Sequence, residues 1–290
     1  MSQWHILGAG AIGSLIAHRM MQSNCACTLL HHHQSSSSGL LLDGKTTARL
    51  PIQSLRALAP ASIDRLLLTT KAGQLVDALK LALPYLSDDA VIACTANGLG
   101  FEQAFSEVLP GRSLHRATST AAAFRDHDAV VHIVSDGITR IGLPESSASP
   151  PTWFSDSLAI LDGWRWESNM QGAIGEKFSI NCVINPLTAQ LECRNGELLQ
   201  SGAAGPELTA LCEESEPLLN ALGLWSRQSD LLSAATNVCQ STAQNQSSML
   251  QDRLAGRPTE IDFLNGELLR RAENFEFELP LNQALVSALR

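Results

Sequence analysis

The sequence predicts an α/β domain followed by an all-α domain, and three observations lead to this prediction. In the first half of the chain short apolar runs alternate with helical patterns, which is typical of parallel βαβ units. Beyond residue 168 the strand signals fade, and long patterns with a period of 3.6 residues replace them. The chain has 290 residues, more than one compact domain usually contains. We therefore expect two domains, covering residues 1–168 and 169–290.

The predicted elements of the first domain alternate in the order that a parallel sheet requires. Strands are expected at 4–7, 27–30, 66–69 and 91–94, and helices at 12–21, 74–83 and 101–108. Two further apolar runs, 130–134 and 138–141, are separated by Ser135, Asp136 and Gly137. An Asp-Gly pair between apolar runs predicts a hairpin, here at the edge of the sheet. In the second domain helical patterns cover 207–222, 230–254 and 260–274.

Composition and charge exclude several classes of protein. The net charge of −9 leaves no basic surplus to neutralise a phosphate backbone, so we expect no nucleic-acid partner. No apolar run approaches the ~20 residues that cross a bilayer, and residues 1–7 lack the pattern of a secretory signal. The seven cysteines lie mostly in apolar runs and show no four-ligand spacing. We expect reduced thiols in a cytoplasmic protein, with no metal site and no membrane partner.

A glycine-rich turn follows the first strand and opens the first helix. The stretch W-H-I-L-G-A-G-A-I-G places Gly8, Gly10 and Gly13 at the spacing of a dinucleotide-binding loop. Gly8 allows the tight turn, Gly10 lets the backbone approach a pyrophosphate, and Gly13 lets the helix pack on the strand. The alternative is a glycine-rich turn without a ligand. The βαβ context favours a Rossmann-type dinucleotide-binding domain.

The absence of acidic residues near this loop indicates which dinucleotide binds. No Asp or Glu occurs between residues 1 and 42. NAD enzymes usually place a carboxylate about 20 residues beyond the glycines, where it binds the ribose 2′-hydroxyl. This chain instead has H-H-H-Q-S-S from His31 to Ser36, which favours NADPH, with His32 as a candidate ligand of the 2′-phosphate. Three adjacent histidines could also indicate a metal site, but neighbouring side chains of an extended loop point apart.

Two polar residues follow later strands of the predicted sheet. Lys71 comes just beyond the third major strand and Asn97 just beyond the fourth. The ligand crevice of an open parallel sheet lies outside the carboxyl ends of its strands, so both side chains can face a cofactor. A lysine after a strand is more often simply solvated.

The second domain opens with a polar stripe in an apolar helix. Lys177, Asn181 and Asn185 recur at i, i+4 and i+8, so they share one helix face. Burying such polar groups costs free energy unless they form hydrogen bonds. The carboxylate and carbonyl of a bound ligand would provide these bonds. The alternative is a buried polar network between helices. Pro186 is expected to kink or break this helix.

A second cluster of polar residues lies near the other end of the chain. Ser248 and Asp252 stand one helical turn apart, and Glu260 is expected in the first turn of the next helix. Helix capping alone accounts for Thr259 and Glu260, so their spacing does not make Glu260 functional.

Taken together, these segments resemble the ketopantoate reductase family. The resemblance rests on G-A-G-A-I-G, K-A-G-Q, N-G-L-G, K-F-S-I-N-C-V-I-N-P-L-T-A with C-R-N-G-E-L-L, and S-S-M-L-Q-D with T-E-I-D-F-L-N-G, and it spans residues 6–281. It implies an NADP(H)-binding domain, a helical domain, catalysis in the cleft, and reduction of 2-dehydropantoate to (R)-pantoate in pantothenate biosynthesis. It also implies a small keto acid as the partner, while the sequence leaves a monomer and a homodimer open.

The resemblance assigns roles to individual positions. Lys177 matches the family's proton donor. The substrate contacts are expected at Asn97, Asn181, Asn185, Asn195 and Ser248. The cofactor contacts are expected at Gly8, Ala9, Gly10, Ala11, Ile12, Gly13, His32, Lys71, Asn97, Ala123 and Glu260. One departure concerns His32, because enterobacterial members carry an arginine there, and a histidine is only partly charged at pH 7 and has no guanidinium fork.

Two other readings remain open at this point. The first is a reductase of the same architecture that acts on another branched 2-keto acid. The second is a non-catalytic NADP(H) sensor, which would keep the glycine loop but would not need Lys177 within a stripe of amides.

Overall fold

A computed structural model describes residues 3–32, 37–146, 148–200, 202–226 and 229–290. The chain divides into two compact units. The first combines Met1–Ala96 with Phe101–Met170, and the second combines Asn97–Gly100 with Gln171–Arg290. The first unit has a mainly parallel sheet with helices, and the described residues of the second unit are helical apart from one short pair of strands. The predicted fold class is confirmed.

The strands and helices have the following bounds. The strands are β1 Trp4–Leu7, β2 Cys27–His31, β3 Ser37–Asp43, β4 Thr46–Ser54, β5 Ile63–Leu68, β6 Leu86–Cys94, β7 Leu114–Ser119, β8 Ala122–Arg125, β9 Val131–Ser135, β10 Thr139–Gly142, β11 Trp164–Trp166, β12 Leu199–Gln200 and β13 Ala203–Ala204. The helices are α1 Ala11–Gln22, α2 Ala72–Ala82, α3 Glu102–Val108, α4 Thr152–Ser155, α5 Met170–Leu191, α6 Pro206–Ala221, α7 Leu231–Ser241, α8 Ser248–Leu254, α9 Asn265–Ala272 and α10 Pro280–Leu289. In the described part of the chain no helix is both long and apolar enough to cross a membrane.

The sheet of the first unit brings the carboxyl ends of its central strands together. Its order is β11-β10-β7-β6-β5-β1-β2-β4-β3-β9-β8, and β2, β1, β5, β6 and β7 run parallel to one another. The central strands are buried on both faces, as parallel strands covered by helices require. Trp4 and Ile6 of β1 pack with Ile16 and Met20 of α1 in the core. The loops that follow β1, β5 and β6 therefore leave the sheet along one edge.

The predicted hairpin between the runs at 130–134 and 138–141 is wrong. Both runs are strands, but β9 pairs with β3 and β8, whereas β10 pairs with β7 and β11 near the other end of the sheet. The linking residues make tertiary contacts instead of a tight turn: Asp136 accepts a hydrogen bond from Arg19 of α1 at 2.6 Å, and Ile138 N binds Thr120 Oγ1 at 2.8 Å. Contacts distant in sequence thus override the local turn signal.

The structure contains an antiparallel hairpin that the sequence pattern did not assign. Strands β3 and β4 pair from Asp43 opposite Thr46 to Ser37 opposite Ile52, around a turn at Gly44 and Lys45. An Asp-Gly pair was present here too, between L-L-L and a run of strand-forming residues. This local pattern therefore predicts the hairpin that the structure contains.

In the second unit, one segment that was predicted to be a single helix forms two helices. The pattern at 230–254 forms α7 and α8, which are separated at residues 242–247. The main-chain carbonyls in this break accept hydrogen bonds from another segment: Ala243 O from Gly196 N at 3.1 Å, and Asn245 O from Asn195 N at 3.0 Å. A continuous helix would use those carbonyls internally. At the break, these carbonyls therefore form hydrogen bonds with a distant segment instead of hydrogen bonds within a helix.

Candidate functional site

In the turn after β1, the backbone lies too close to neighbouring atoms for a side chain at two glycine positions. Gly8 has a φ of +125°, outside the range of most L-residues, and an added Cβ would lie 2.8 Å from Thr69 Oγ1. A Cβ on Gly13 would collide with the carbonyl oxygen of Gly8. The Thr69 hydroxyl donates to Gly8 O at 2.8 Å, which fixes the turn against the end of β5.

The N-terminus of α1 is open. Gly10 is the N-cap residue, and no side chain caps the helix. A Cβ added to Gly10 would meet no atom within 4 Å. The first amides of a helix point outward and carry positive potential, so a phosphate group fits this position well. Ala11 and Ile12 form the first turn of the helix.

A cleft of about 860 Å³ runs from this turn along the edge of the first unit. His32 at the end of β2 is exposed and lines the cleft. Lys71, the N-cap residue of α2, is half-buried and also lines it. The structure thus brings the glycine turn, His32 and Lys71 to one cavity. The part of the histidine and serine stretch from His33 to Ser36 lies outside the described residues.

Strand β8 places an arginine at the same cavity, and sequence reasoning missed this residue. Arg125 lines the cleft, and its guanidinium donates a hydrogen bond to the main-chain oxygen of Ala9. Ala123 lies two residues earlier on β8, opposite Ile133 of β9, and is half-buried. Arg125 is 116 positions from Ala9 in sequence, so no local pattern connects the two.

Helix α5 carries the polar stripe of the second unit. Lys177 and Asn181 are half-buried, and Asn185 is 9% exposed. Between them the helix is deeply buried, with Phe178 at 2% and Cys182 at 0%. The spacing of four residues places Lys177, Asn181 and Asn185 on one face, as predicted.

Pro186 lies inside α5, and the helix continues beyond it to Leu191. A proline has no N–H, so the carbonyl of Cys182, four residues earlier, loses its usual donor. The side chain of Asn265 supplies one, with Nδ2 at 2.9 Å from Cys182 O. Asn282 Oδ1 in turn accepts from the same amide at 2.7 Å. The helix tolerates Pro186 because this buried pair of asparagines replaces the missing bond.

Asn195 is a buried amide with an unmatched acceptor. It is 8% exposed, and its Nδ2 donates to Thr242 Oγ1 at 2.9 Å. Its Oδ1 is buried and has no hydrogen-bond partner among the described residues. A buried acceptor without a hydrogen bond costs free energy, and a ligand that donates to it would remove that cost.

Ser247 and Ser248 have different environments at the start of α8. The hydroxyl of Ser247 accepts from Leu250 N at 3.1 Å and from Thr188 Oγ1 at 2.7 Å, so it caps the helix from a buried position. Ser248 is exposed. The hydroxyl that remains accessible is therefore that of Ser248.

The structure brings Asn97 and Glu260 together. Asn97 Nδ2 donates to Glu260 Oε2 at 3.2 Å, and Glu260 is 8% exposed. Glu260 precedes a 3-10 turn at Ile261–Phe263 and makes no side-chain cap. The expectation of a carboxylate in the first helical turn is thus not met, because the chain first makes the 3-10 turn. No sequence pattern could have paired two residues 163 positions apart.

A buried arginine holds the chain on either side of Asn97–Gly100, and this residue was also missed. Arg116 on β7 is 3% exposed. Its guanidinium donates to Ala96 O at 3.2 Å, pairs with Glu102 and lies 4.5 Å from the centre of the Phe101 ring. A buried charge needs such partners to be stable. Arg116 therefore fixes both ends of the segment that carries Asn97.

The glycine turn, the open helix terminus and the cleft define the first unit as a dinucleotide-binding domain. Within the described ranges no group of three or more His, Cys, Asp or Glu side chains could hold a metal ion. Residues 4–146 match the family model described as ketopantoate reductase PanE/ApbA, and residues 169–290 match the model of its C-terminal part. The chain belongs to the ketopantoate reductase family, which uses NADPH.

Curated relatives are similar over most of the chain. The 2-dehydropantoate 2-reductase of Vibrio cholerae is 32% identical over 286 residues, which cover 98% of this chain and 96% of the relative. That of Shigella flexneri is 36% identical over 231 residues, or 79% of this chain and 74% of the relative.

Solved structures share the fold at lower identity. The dimeric ketopantoate reductase from Staphylococcus aureus has a TM-score of 0.81 and 21% identity, covering 99% of this chain and 97% of that one. D-Mandelate dehydrogenase with NADH and anilino(oxo)acetate has a TM-score of 0.83 and 21% identity, covering 99% and 96%. At this identity these structures support the fold alone.

Proposed function

We propose that the protein reduces 2-dehydropantoate to (R)-pantoate with NADPH, a step of pantothenate biosynthesis. The observation that carries this proposal is the single face of α5 on which Lys177, Asn181 and Asn185 recur, next to the buried apolar side chains of Phe178 and Cys182. A keto acid has a carbonyl and a carboxylate, and an ammonium followed by two amides offers donors to both.

Lys177 donates the proton in this scheme. Bound NADPH supplies the hydride for the C2 carbonyl of the keto acid. As negative charge develops on the carbonyl oxygen, the Lys177 ammonium stabilises it and transfers a proton to it. A cation directed at a developing alkoxide acts mainly in the transition state, which is where an interaction accelerates the reaction.

The amides and one hydroxyl orient the substrate. Asn181 and Asn185 lie one and two turns beyond Lys177 and bind the carboxylate and hydroxyl of the substrate. The unmatched Oδ1 of Asn195 suits a hydroxyl donor, and the exposed Ser248 hydroxyl suits a carboxylate. Fixing the approach of the reacting atoms in this way lowers the entropic part of the barrier.

The described residues of the first unit fit a nicotinamide dinucleotide. The open space at Gly10 and the uncapped amides of α1 suit a pyrophosphate. In our proposal Gly8, Ala9, Gly10, Ala11, Ile12 and Gly13 form the phosphate turn, with His32, Lys71 and Ala123 as further contacts. Asn97 and Glu260, which bind each other within the second unit, are proposed as cofactor contacts from the family resemblance, and Asn97 also as a substrate contact.

The proposed reaction is tested by following NADPH absorbance with purified protein. Consumption that requires 2-dehydropantoate, with (R)-pantoate identified as the product, is the expected result. A panel of branched 2-keto acids identifies the preferred substrate, and faster turnover of another acid would replace 2-dehydropantoate in the proposal. Nucleotide binding without turnover of any keto acid would leave the sensor as the function.

The location and assembly of the protein are also proposals. All seven cysteines are free thiols, five of them buried, which suits the reducing cytoplasm. The sequence leaves a monomer and a homodimer open, and the S. aureus reductase is dimeric. Sedimentation equilibrium on the purified chain distinguishes the two states.

We expect His32→Arg to lower the Michaelis constant for NADPH while leaving that for NADH nearly unchanged. His32 is exposed in the cleft, and an arginine there offers a permanent charge and two parallel donors to the 2′-phosphate. The expected gain in the NADPH to NADH preference is about tenfold, the scale of one charge-assisted hydrogen bond. Steady-state kinetics with each cofactor measure it. An unchanged ratio would remove His32 from the 2′-phosphate site.

A further inference from the structure

We propose that Arg125 is a cofactor-binding residue that neutralises the pyrophosphate, a role assigned by neither the glycine turn nor the family resemblance. The inference rests on the proposed use of a nicotinamide dinucleotide. It concerns the part that NADPH and NADH have in common, and therefore affinity for both cofactors rather than choice between them.

The position of the guanidinium carries the argument. Arg125 donates to the carbonyl oxygen of Ala9, in the middle of the glycine turn. Gly10, the next residue, is the N-cap of α1, and a Cβ added to it would meet no atom within 4 Å. An anion bound at the α1 amides therefore comes to rest beside a guanidinium already held at the turn. A guanidinium has five N–H donors, so a hydrogen bond to Ala9 O leaves other donors of Arg125 for the anion.

The end of β8 places Arg125, an exposed residue, beside the glycine turn. It ends β8 opposite Val131 of β9. The next residue, Asp126, closes the following turn by accepting from Asp128 N at 3.0 Å and Val130 N at 2.9 Å. Asp126 also bonds to His132 Nε2 at 2.5 Å, and this bond lowers the pKa of the Asp126 carboxyl. The carboxylate of the neighbouring Asp126 is thus engaged within its own turn, while Arg125 donates to Ala9 O.

The cleft has few other cationic side chains that could neutralise a pyrophosphate. Among the described residues that line it, the permanently charged cations are Lys71 and Arg125, and the carboxylates are Asp77 and Asp128. Asp128 is 73% exposed and pairs with His127 at 3.3 Å. A dinucleotide brings two negative charges on its pyrophosphate alone. Helix amides supply only a partial charge, so a guanidinium beside them adds a strong, bidentate partner.

The test compares the binding of NADPH and NADH to wild-type protein and to Arg125→Gln, measured by titration calorimetry without substrate. We expect Arg125→Gln to raise both dissociation constants by the same factor, about 10- to 100-fold, because the lost partner contacts a group that both cofactors contain. The variant should also show a weaker dependence of affinity on salt. The matched control is Arg140→Gln, since Arg140 is an exposed arginine on β10 outside the cleft, and its affinities should equal those of the wild type.

Other outcomes overturn the proposal. Unchanged affinities would show that Arg125 does not contact the cofactor, and a loss confined to NADPH would move it to the 2′-phosphate. A lower melting temperature of Arg125→Gln without nucleotide, at unchanged affinity, would give it a purely structural role at the turn. Wild-type protein that binds neither cofactor would instead refute the proposed function.

Discussion

Lys177→Ala is expected to lower kcat by ~100-fold or more, the usual scale for the loss of a positioned general acid. The substitution removes the ammonium from the polar face of α5. It leaves the apolar neighbours Phe178 and Cys182, which are buried in the helical unit, in place. Folding should therefore persist while the chemical step slows. Stopped-flow measurement of NADPH oxidation separates the chemical step from product release.

The control for this variant is Lys80→Ala. Lys80 is an exposed lysine in the last turn of α2, so its removal deletes the same charge away from the proposed site. NADPH affinity should stay close to that of the wild type in both variants, because Lys177 is proposed to act on the keto acid. Turnover of Lys177→Ala within a fewfold of wild type would exclude it as the proton donor.

Two glycine variants should separate the folding role of the phosphate turn from its binding role. Gly13→Ala places a methyl group against the carbonyl of Gly8, where the backbone cannot move without breaking the contact between turn and helix. We expect the free energy of unfolding without nucleotide to fall by about 3 kcal/mol, as for other overpacked sites. Urea denaturation, followed by tryptophan fluorescence, measures it.

Gly10→Ala is the matched partner of this variant. Its methyl group meets no protein atom within 4 Å, so stability without nucleotide should change by less than about 0.5 kcal/mol. The same methyl fills the space in which a pyrophosphate would approach the backbone, so NADPH affinity should drop at least ~10-fold. Wild-type affinity in Gly10→Ala would contradict the phosphate turn at this position.

The sequence by itself determined the features that depend on local periodicity. The strand predicted at 4–7 is β1, Trp4–Leu7, and the glycine turn and α1 follow it as expected. The face shared by Lys177, Asn181 and Asn185 follows from helix geometry alone. These features need no knowledge of distant residues, because spacing along one strand or helix fixes which side chains lie together.

The tertiary structure decided every feature that joins distant parts of the chain. It separates the two strands flanking Asp136-Gly137, although the local pattern predicted that they pair as a hairpin, and it breaks the predicted helix at 230–254 into α7 and α8. It pairs Asn97 with Glu260 and brings Arg125 to Ala9. Local propensities are worth less than about 1 kcal/mol per residue, whereas buried hydrogen bonds and packing contribute more where segments meet. The spacing of residues along the chain does not indicate which distant segments come into contact.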